Sequence, residues 1–190
     1  MKTLIILLGV VLSSIVVCQE SYSSPYECGF TLGWGAPYGE SFEVSKYLTD
    51  AHSLNFGVGM SMSGFKSGLG YKLIFKPENK FSPFFGVNLA YSTGINKLNV
   101  NVNTDTAVYK ISSGVLLSPR AGLKFQATGA SIYFNLGAGI PFGGKSEYVS
   151  GSNAHGVESL AKAMSLGGIE ASVTVMFGRL RKSGIEAQAE

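Results

Sequence analysis

Six ionisable residues recur among glycine, serine and asparagine on the small-residue side of alternating segments: Glu43, Lys72, Lys110, Arg120, Lys124 and Glu170. Four cations and two acids in that setting could do one of two things. They could pair with one another inside a closed space, or they could line a path for ions. A charge taken out of water needs a partner, because leaving it unpaired costs several kcal/mol (on the order of 3–5). By residue count Arg120 and Glu170 fall at similar heights, which predicts a cross-lumen pair or network. A narrow closed wall leaves little open bore, so the expectation is a lumen charge network that plugs the interior.

Other chemistry finds little support. The chain has two histidines, His52 in a predicted turn and His155 in a predicted loop at the opposite end. That separation excludes a two-histidine metal site within one chain and leaves any Ser-His-acid set dependent on one of them. His155 with Ser152, Ser159 or Glu158 could imitate a lipid-modifying set, but such residues are ordinary in a polar loop, and no Gly-x-Ser-x-Gly elbow is present. Gly143-Gly144-Lys145-Ser146 comes nearest to a phosphate loop, yet lacks the first glycine at the required spacing and opens a loop. The expectation is therefore no catalytic residue, no cofactor and no metal.

The elements that must carry the charged residues follow from hydropathy. From Ala130 to Phe142, Ile132, Phe134, Leu136, Ala138, Ile140 and Phe142 share one face, and Ser131, Tyr133, Asn135, Gly137 and Gly139 share the other. A period of two is a strand. The same beat marks Tyr26–Gly35, Ser41–Leu48, Ser53–Ser63, Gly68–Lys76, Phe81–Ser92, Tyr109–Gln126 and Leu166–Gly178. Ser41–Leu48 is the weakest, since Lys46 shares the face of Phe42, Val44 and Leu48, but an even strand number is expected of a single-chain barrel. In Tyr109–Gln126 only Ser113 and Pro119 interrupt the apolar row.

Volume decides which face is inside. The lumen of an eight-stranded barrel is just filled by side chains, and the large Leu, Ile, Val, Phe, Met and Tyr residues are too many for it. A wall facing water also needs charge for solubility, yet charged residues make up 14% of the chain and the mean hydropathy is positive. These observations predict an all-β, eight-stranded antiparallel up-and-down transmembrane β-barrel over residues 26–180, with its apolar face in lipid.

The ends and the charge balance complete the organisation. Met1-Lys2 followed by the apolar run Leu4–Val17 has the form of a signal peptide over residues 1–18. It is too short to span a bilayer as a helix, and no later run approaches the necessary length. Residues 19–25 form a short amino-terminal segment, and 181–190 a periplasmic carboxyl-terminal tail. Val16-Val17-Cys18 either ends the signal or presents Cys18 for acylation; the run resembles a lipobox, with Val17 where a small residue is usual. Cys28 reads as an unpaired thiol, lipid-facing or packed, because its one possible partner lies at the processing point. A net charge of +3, spread along the chain, gives no footprint for nucleic acid.

Connections alternate between tight and long. Thr49–His52, Pro77–Lys80 and Ala127–Gly129 are tight, whereas 94–108 and 143–165 are long. Short turns belong on the periplasmic side and long loops outside, while Ala36–Glu40 and Gly64–Ser67 are short outer connections. That orientation puts outward Phe75, Phe85, Phe125 and Phe177 near the inner end and Trp34, Tyr91, Tyr109 and Phe142 near the outer end. Two aromatic girdles at the two interfaces are expected of such a barrel. Leu98-Asn-Val-Asn-Val-Asn103 is expected to form a hairpin above the membrane, turning near 104–106. Val157, Leu160 and Met164 stand near helical spacing.

The run Phe81-Ser-Pro-Phe-Phe-Gly-Val-Asn-Leu-Ala-Tyr91 and the closing Ile169-Glu-Ala-Ser-Val-Thr-Val-Met-Phe177 resemble the small OmpA-like and OmpX-like outer-membrane β-barrel family. The resemblance covers most of the chain through pattern more than through invariant residues. It implies location in the cell outer membrane after signal-dependent export, with outer-membrane lipids and the barrel-assembly machinery as partners. In that family the last strand usually ends the chain on an aromatic; here residues continue from Gly178 to Glu190. This tail is shorter than the peptidoglycan-binding domain of full-length OmpA proteins. The expected role is non-enzymatic, in envelope structure or surface contact through 94–108 and 143–165, with an unidentified surface partner. The alternative is a small porin-like channel for solutes or ions. A lipid-modifying enzyme and a secreted ligand-binding barrel stand behind these.

Overall fold

The computed structural model describes residues 25–35, 37–102, 105–127, 129–151 and 167–178. They form β1 (Tyr26–Trp34), β2 (Glu40–Tyr47), β3 (His52–Ser61), β4 (Gly64–Ile74), β5 (Phe81–Ser92), β6 (Ile95–Val102), β7 (Asp105–Ile111), β8 (Gly114–Ala127), β9 (Ala130–Gly143), β10 (Ser146–Gly151) and β11 (Gly168–Phe177). Eight of these strands close a barrel in the order β1-β11-β9-β8-β5-β4-β3-β2. The seam pairs β1 with β11 antiparallel, from Cys28 opposite Phe177 to Trp34 opposite Ala171. Closure leaves no barrel edge unpaired. This is the eight-stranded antiparallel wall that alternation and the family resemblance implied, with the doubtful second strand present.

Burial is inverted relative to a soluble protein. In β5, Ser82, Phe84, Gly86, Asn88, Ala90 and Ser92 are buried, while Phe81, Phe85, Leu89 and Tyr91 are exposed. Across the wall the exposed face is apolar: Leu69 is 66% exposed, Leu136 67% and Ile169 77%. The core is the lumen, and most of its fully buried members are polar or charged.

The expected strand Tyr109–Gln126 is two strands, β7 and β8, parted at Ser112-Ser113. The β5–β8 ladder ends at Ser92 opposite Gly114 and resumes at Ile95 opposite Ile111. Likewise the β8–β9 ladder ends at Gly114 opposite Gly143 and resumes at Ser146 opposite Ile111. Gly94, Gly143 and Gly144 turn at that level with φ of 73°, 77° and 69°, a conformation that costs a side-chain-bearing residue. Ser112 spans the kink: its amide and hydroxyl donate to the Lys145 carbonyl at 3.0 and 3.3 Å. The result is a three-stranded sheet, β10-β7-β6, that continues the barrel wall past its rim. We call it the tongue.

Several expectations fall outside the described residues. They are the signal peptide, the amino-terminal segment up to residue 24, Cys18, the hairpin turn at 103–104, the stretch 152–166 with His155, and the tail beyond Gly178.

Candidate functional site: the filled lumen and the tongue

The charged residues of the lumen fit because glycines flank them in the neighbouring strands. Glu43 lies between Gly29 of β1 and Gly57 of β3. Arg120 lies between Gly86 of β5 and Gly137 of β9, and Glu170 of β11 also faces Gly137. A Cβ at Gly137 would come within 3.0 Å of both Arg120 Cβ and Glu170 Oε2. The small residues that marked the lumen in the sequence are therefore the space into which long charged side chains lie down.

Nearest the barrel's chain ends, Glu27 organises a cluster. Its carboxylate accepts hydrogen bonds from Tyr47 at 2.9 Å, Tyr133 at 3.1 Å and Ser131 at 2.9 Å, and Lys124 Nζ stands 3.7 Å away. Lys124 also donates to the Tyr47 hydroxyl at 3.1 Å. Tyr47 and Tyr133 share a 2.7 Å hydrogen bond. Ile74, Phe84 and Met176 pack with the two tyrosines and fill the bore at this level. Lys72 finds Ser45 Oγ at 3.4 Å and the Tyr133 ring, centroid 4.6 Å from Nζ, in place of a carboxylate.

The middle of the lumen is built around Arg120 and Glu43, 3.7 Å apart and both fully buried. Thr31 donates to Glu43 at 2.5 Å and shares a 2.8 Å bond with Thr174 across the seam. Arg120 Nη2 also reaches Asn88 Oδ1 at 3.3 Å. Arg120 thus pairs with Glu43 and not with Glu170, which accepts instead from Ser118 at 2.6 Å. Counting residues along the strands places Arg120 beside Glu170; they are cross-strand neighbours through Gly137, but the guanidinium extends across the bore to the opposite wall.

Two residues move out of the predicted sites. Lys110 is exposed on the tongue, not in the lumen, because above the kink at Ser112-Ser113 the face that carries Ala107, Tyr109 and Ile111 is the buried one. For the same reason Tyr109 is 3% exposed inside the tongue's apolar cluster and is not part of an outward girdle. The remaining aromatics point outward: Trp34, Tyr91 and Phe142 near the tongue end, Phe75 and Phe85 toward the other end, all exposed, with Phe125 and Phe177 half-buried there. Cys28 is disulfide-bonded, which corrects the reading of it as an unpaired thiol. The bonded half-cystine is buried on the outward side of β1.

Glu27, Lys66 and Tyr38 are among the lumen residues that escape sequence reading. Glu27 is in phase with Gly29 and Thr31, so the signal was present. Lys66 is buried because β4 starts at Gly64, where a connection was expected. Tyr38 belongs to a turn and carries no alternation signal, yet its side chain is fully buried.

The tongue reverses the chemistry of the wall below it. Leu98, Val100, Ala107, Tyr109 and Ile111 form its buried cluster, while Asn99, Asn101, Thr106, Lys110 and Glu147 are exposed. Tyr148 and Val149 on β10 are its exposed apolar residues. Among the described residues, no group of three His, Cys, Asp or Glu is placed to hold a metal. No helix among them is long and apolar enough to cross a membrane, which says nothing of strands.

No protein-family model matches the chain, and no curated protein matches it. Among solved structures it is similar to the N-terminal β-barrel domain of Pseudomonas aeruginosa OprF, with 15% identity and a TM-score of 0.46, over 80% of this chain and 93% of that one.

Proposed function

We propose that this chain is an integral outer-membrane β-barrel whose closed polar interior serves stability and whose tongue makes contacts at the cell surface. The observation that carries the reading is the inversion at the rim. Below Gly94, Ser112-Ser113 and Gly143-Gly144 the strands expose leucine and phenylalanine and bury serine, asparagine and charge; above it β7 exposes Lys110 and buries Ala107, Tyr109 and Ile111. A water-exposed wall would forgo about 1.5–3 kcal/mol for each Leu or Phe that it fails to bury, and lipid removes that cost. The tongue, built like an ordinary sheet in water, then stands outside with its β6 and β10 edges. Edges of this kind pair with extended segments of other chains. Export by the leader and assembly by the envelope's barrel-folding machinery follow from this location.

The competing reading is a small channel. At the Glu27 level tyrosines, Phe84, Ile74 and Met176 occupy the bore, and the Arg120–Glu43 pair crosses the middle. That packing favours a plug, so planar-bilayer current is expected to stay at baseline; steady unitary conductance would favour the channel. The location is tested by fractionation. The protein should stay with membranes through a carbonate wash and migrate differently before and after boiling. Release by carbonate with no mobility change would overturn the membrane reading.

A further inference from the structure

We propose that Tyr38 is a lid on the outer half of the lumen, closing a polar chamber that takes water and small hydrated ions from the outside. The turn Pro37-Tyr38-Gly39 joins β1 to β2 at the tongue end, and Gly39 there has a φ of 73°. From this turn the Tyr38 ring enters the barrel, where it packs with Ala90 and Leu116 as an apolar layer across the bore. Its hydroxyl donates to Asn88 Oδ1 at 3.2 Å and accepts from Asn55 Nδ2 at 3.2 Å. Gly57 makes the seat: a Cβ there would lie 2.1 Å from Tyr38 Cδ2. Ala90 and Leu116 are fixed on barrel strands, so Tyr38 is the one member of the layer carried by a turn.

Directly beneath the ring lie polar groups that the protein leaves short of partners. Arg120 Nε and Nη1, Glu43 Oε2, Glu170 Oε1, Asn55 Oδ1 and Asn88 Nδ2 are buried and make no hydrogen bond. Their residues are contiguous: Asn55 bonds Asn88 at 3.1 Å, Asn88 bonds Arg120 at 3.3 Å, Arg120 meets Glu43, and Glu170 flanks Arg120 across Gly137. The contrast with the Glu27 cluster is direct, since no Glu27 atom is left without a hydrogen bond. Donors and acceptors stand together in the chamber, with two carboxylates, the guanidinium and, at the rim, Lys66. Buried groups of this kind are satisfied by water bound through two to four contacts, and a chamber with both signs of charge suits small hydrated ions over an apolar ligand. Access from the cell exterior rests on the proposed orientation in the membrane; the seal itself does not.

The test uses the full-length chain with Ser118→Cys as a reporter in the chamber, folded in detergent and probed with a small charged methanethiosulfonate, the chain without the reporter serving as blank. With Tyr38 present, modification should be slow. Tyr38→Ala should speed it by about a hundredfold or more, the scale of an opening equilibrium after loss of a buried ring. Tyr38→Phe keeps the ring and loses its hydrogen bonds, so the gain should stay within about tenfold. Gly57→Ala, which leaves Tyr38 intact but fills its seat, should match Tyr38→Ala; should that variant not fold, the Tyr38 pair decides alone. Rapid modification with Tyr38 in place, or slow modification in Tyr38→Ala, would overturn the lid. Failure of the membrane reading would show separately as carbonate release, with the labelling in detergent still interpretable.

Discussion

The tongue extends two of the barrel wall's ladders, β5–β8 and β8–β9, yet wall and tongue bury opposite kinds of residue. β5, β8 and β9 bury Asn88, Ser118, Arg120 and Asn135 and expose Leu89, Leu123, Phe134 and Leu136. A few residues further on, β6 and β7 bury Leu98, Val100, Tyr109 and Ile111 and expose Asn99, Asn101 and Lys110. Strand propensity is the same in both places, so the difference lies in the surroundings, which under the proposed function are lipid beside the barrel and water around the tongue. The glycine turns at Gly94, Gly143 and Gly144 mark where one burial pattern gives way to the other.

The wall is most vulnerable at Glu27, the hub of the polar core below the rim. Glu27→Ala removes the acceptor of Tyr47, Tyr133 and Ser131 and the partner of Lys124. Stranding a buried charge costs about 3–5 kcal/mol, and the loss should appear as a large drop in the denaturant midpoint of the folded band. If that variant unfolds like the parent, the lumen is not the core. Above the rim, Tyr109→Ala should forfeit about 3–5 kcal/mol of aromatic burial within the tongue alone. Amide exchange is expected to rise over β6, β7 and β10 while the barrel strands stay protected; global unfolding would deny the tongue its separate status.

Charge placed on each outward face sharpens the contrast. Leu136→Arg puts a guanidinium at the middle of the exposed apolar band, which in lipid costs about 2–4 kcal/mol; in water the change would be near zero. Refolding titrations in vesicles separate the two. Lys110→Glu on the tongue should change stability by about 0.5 kcal/mol or less, measured in the same titration. A multi-kcal/mol loss would return Lys110 to the lumen.

Most of the wall could be read in the sequence because a closed sheet with one apolar and one polar face preserves strict alternation, as Ala130–Phe142 shows. The rim could not. Ser113 and Pro119 looked like equal interruptions of one strand, but Pro119 stays inside β8, where Ser118 and Pro119 have no partner in the β8–β9 ladder. Proline is tolerated where no ladder donor is required. Ser112-Ser113 instead coincides with kinks in both neighbouring strands, at Gly94 and Gly143-Gly144, and that agreement appears only in the three-dimensional register. Lumen partners were hidden for a related reason. Counting residues along strands gives height, but Arg120 chooses Glu43 on the far wall, and Tyr38 descends from a turn that no periodicity describes.

Trp34 provides the most direct measurement, since it is the only tryptophan in the chain. It lies on the outward face of β1 near the tongue end, 51% exposed. In vesicles of brominated phospholipids its fluorescence should be quenched, most strongly by bromines close to the headgroups, with little further loss on adding aqueous iodide. Strong iodide quenching with no response to brominated chains would place the apolar wall in water and contradict the account.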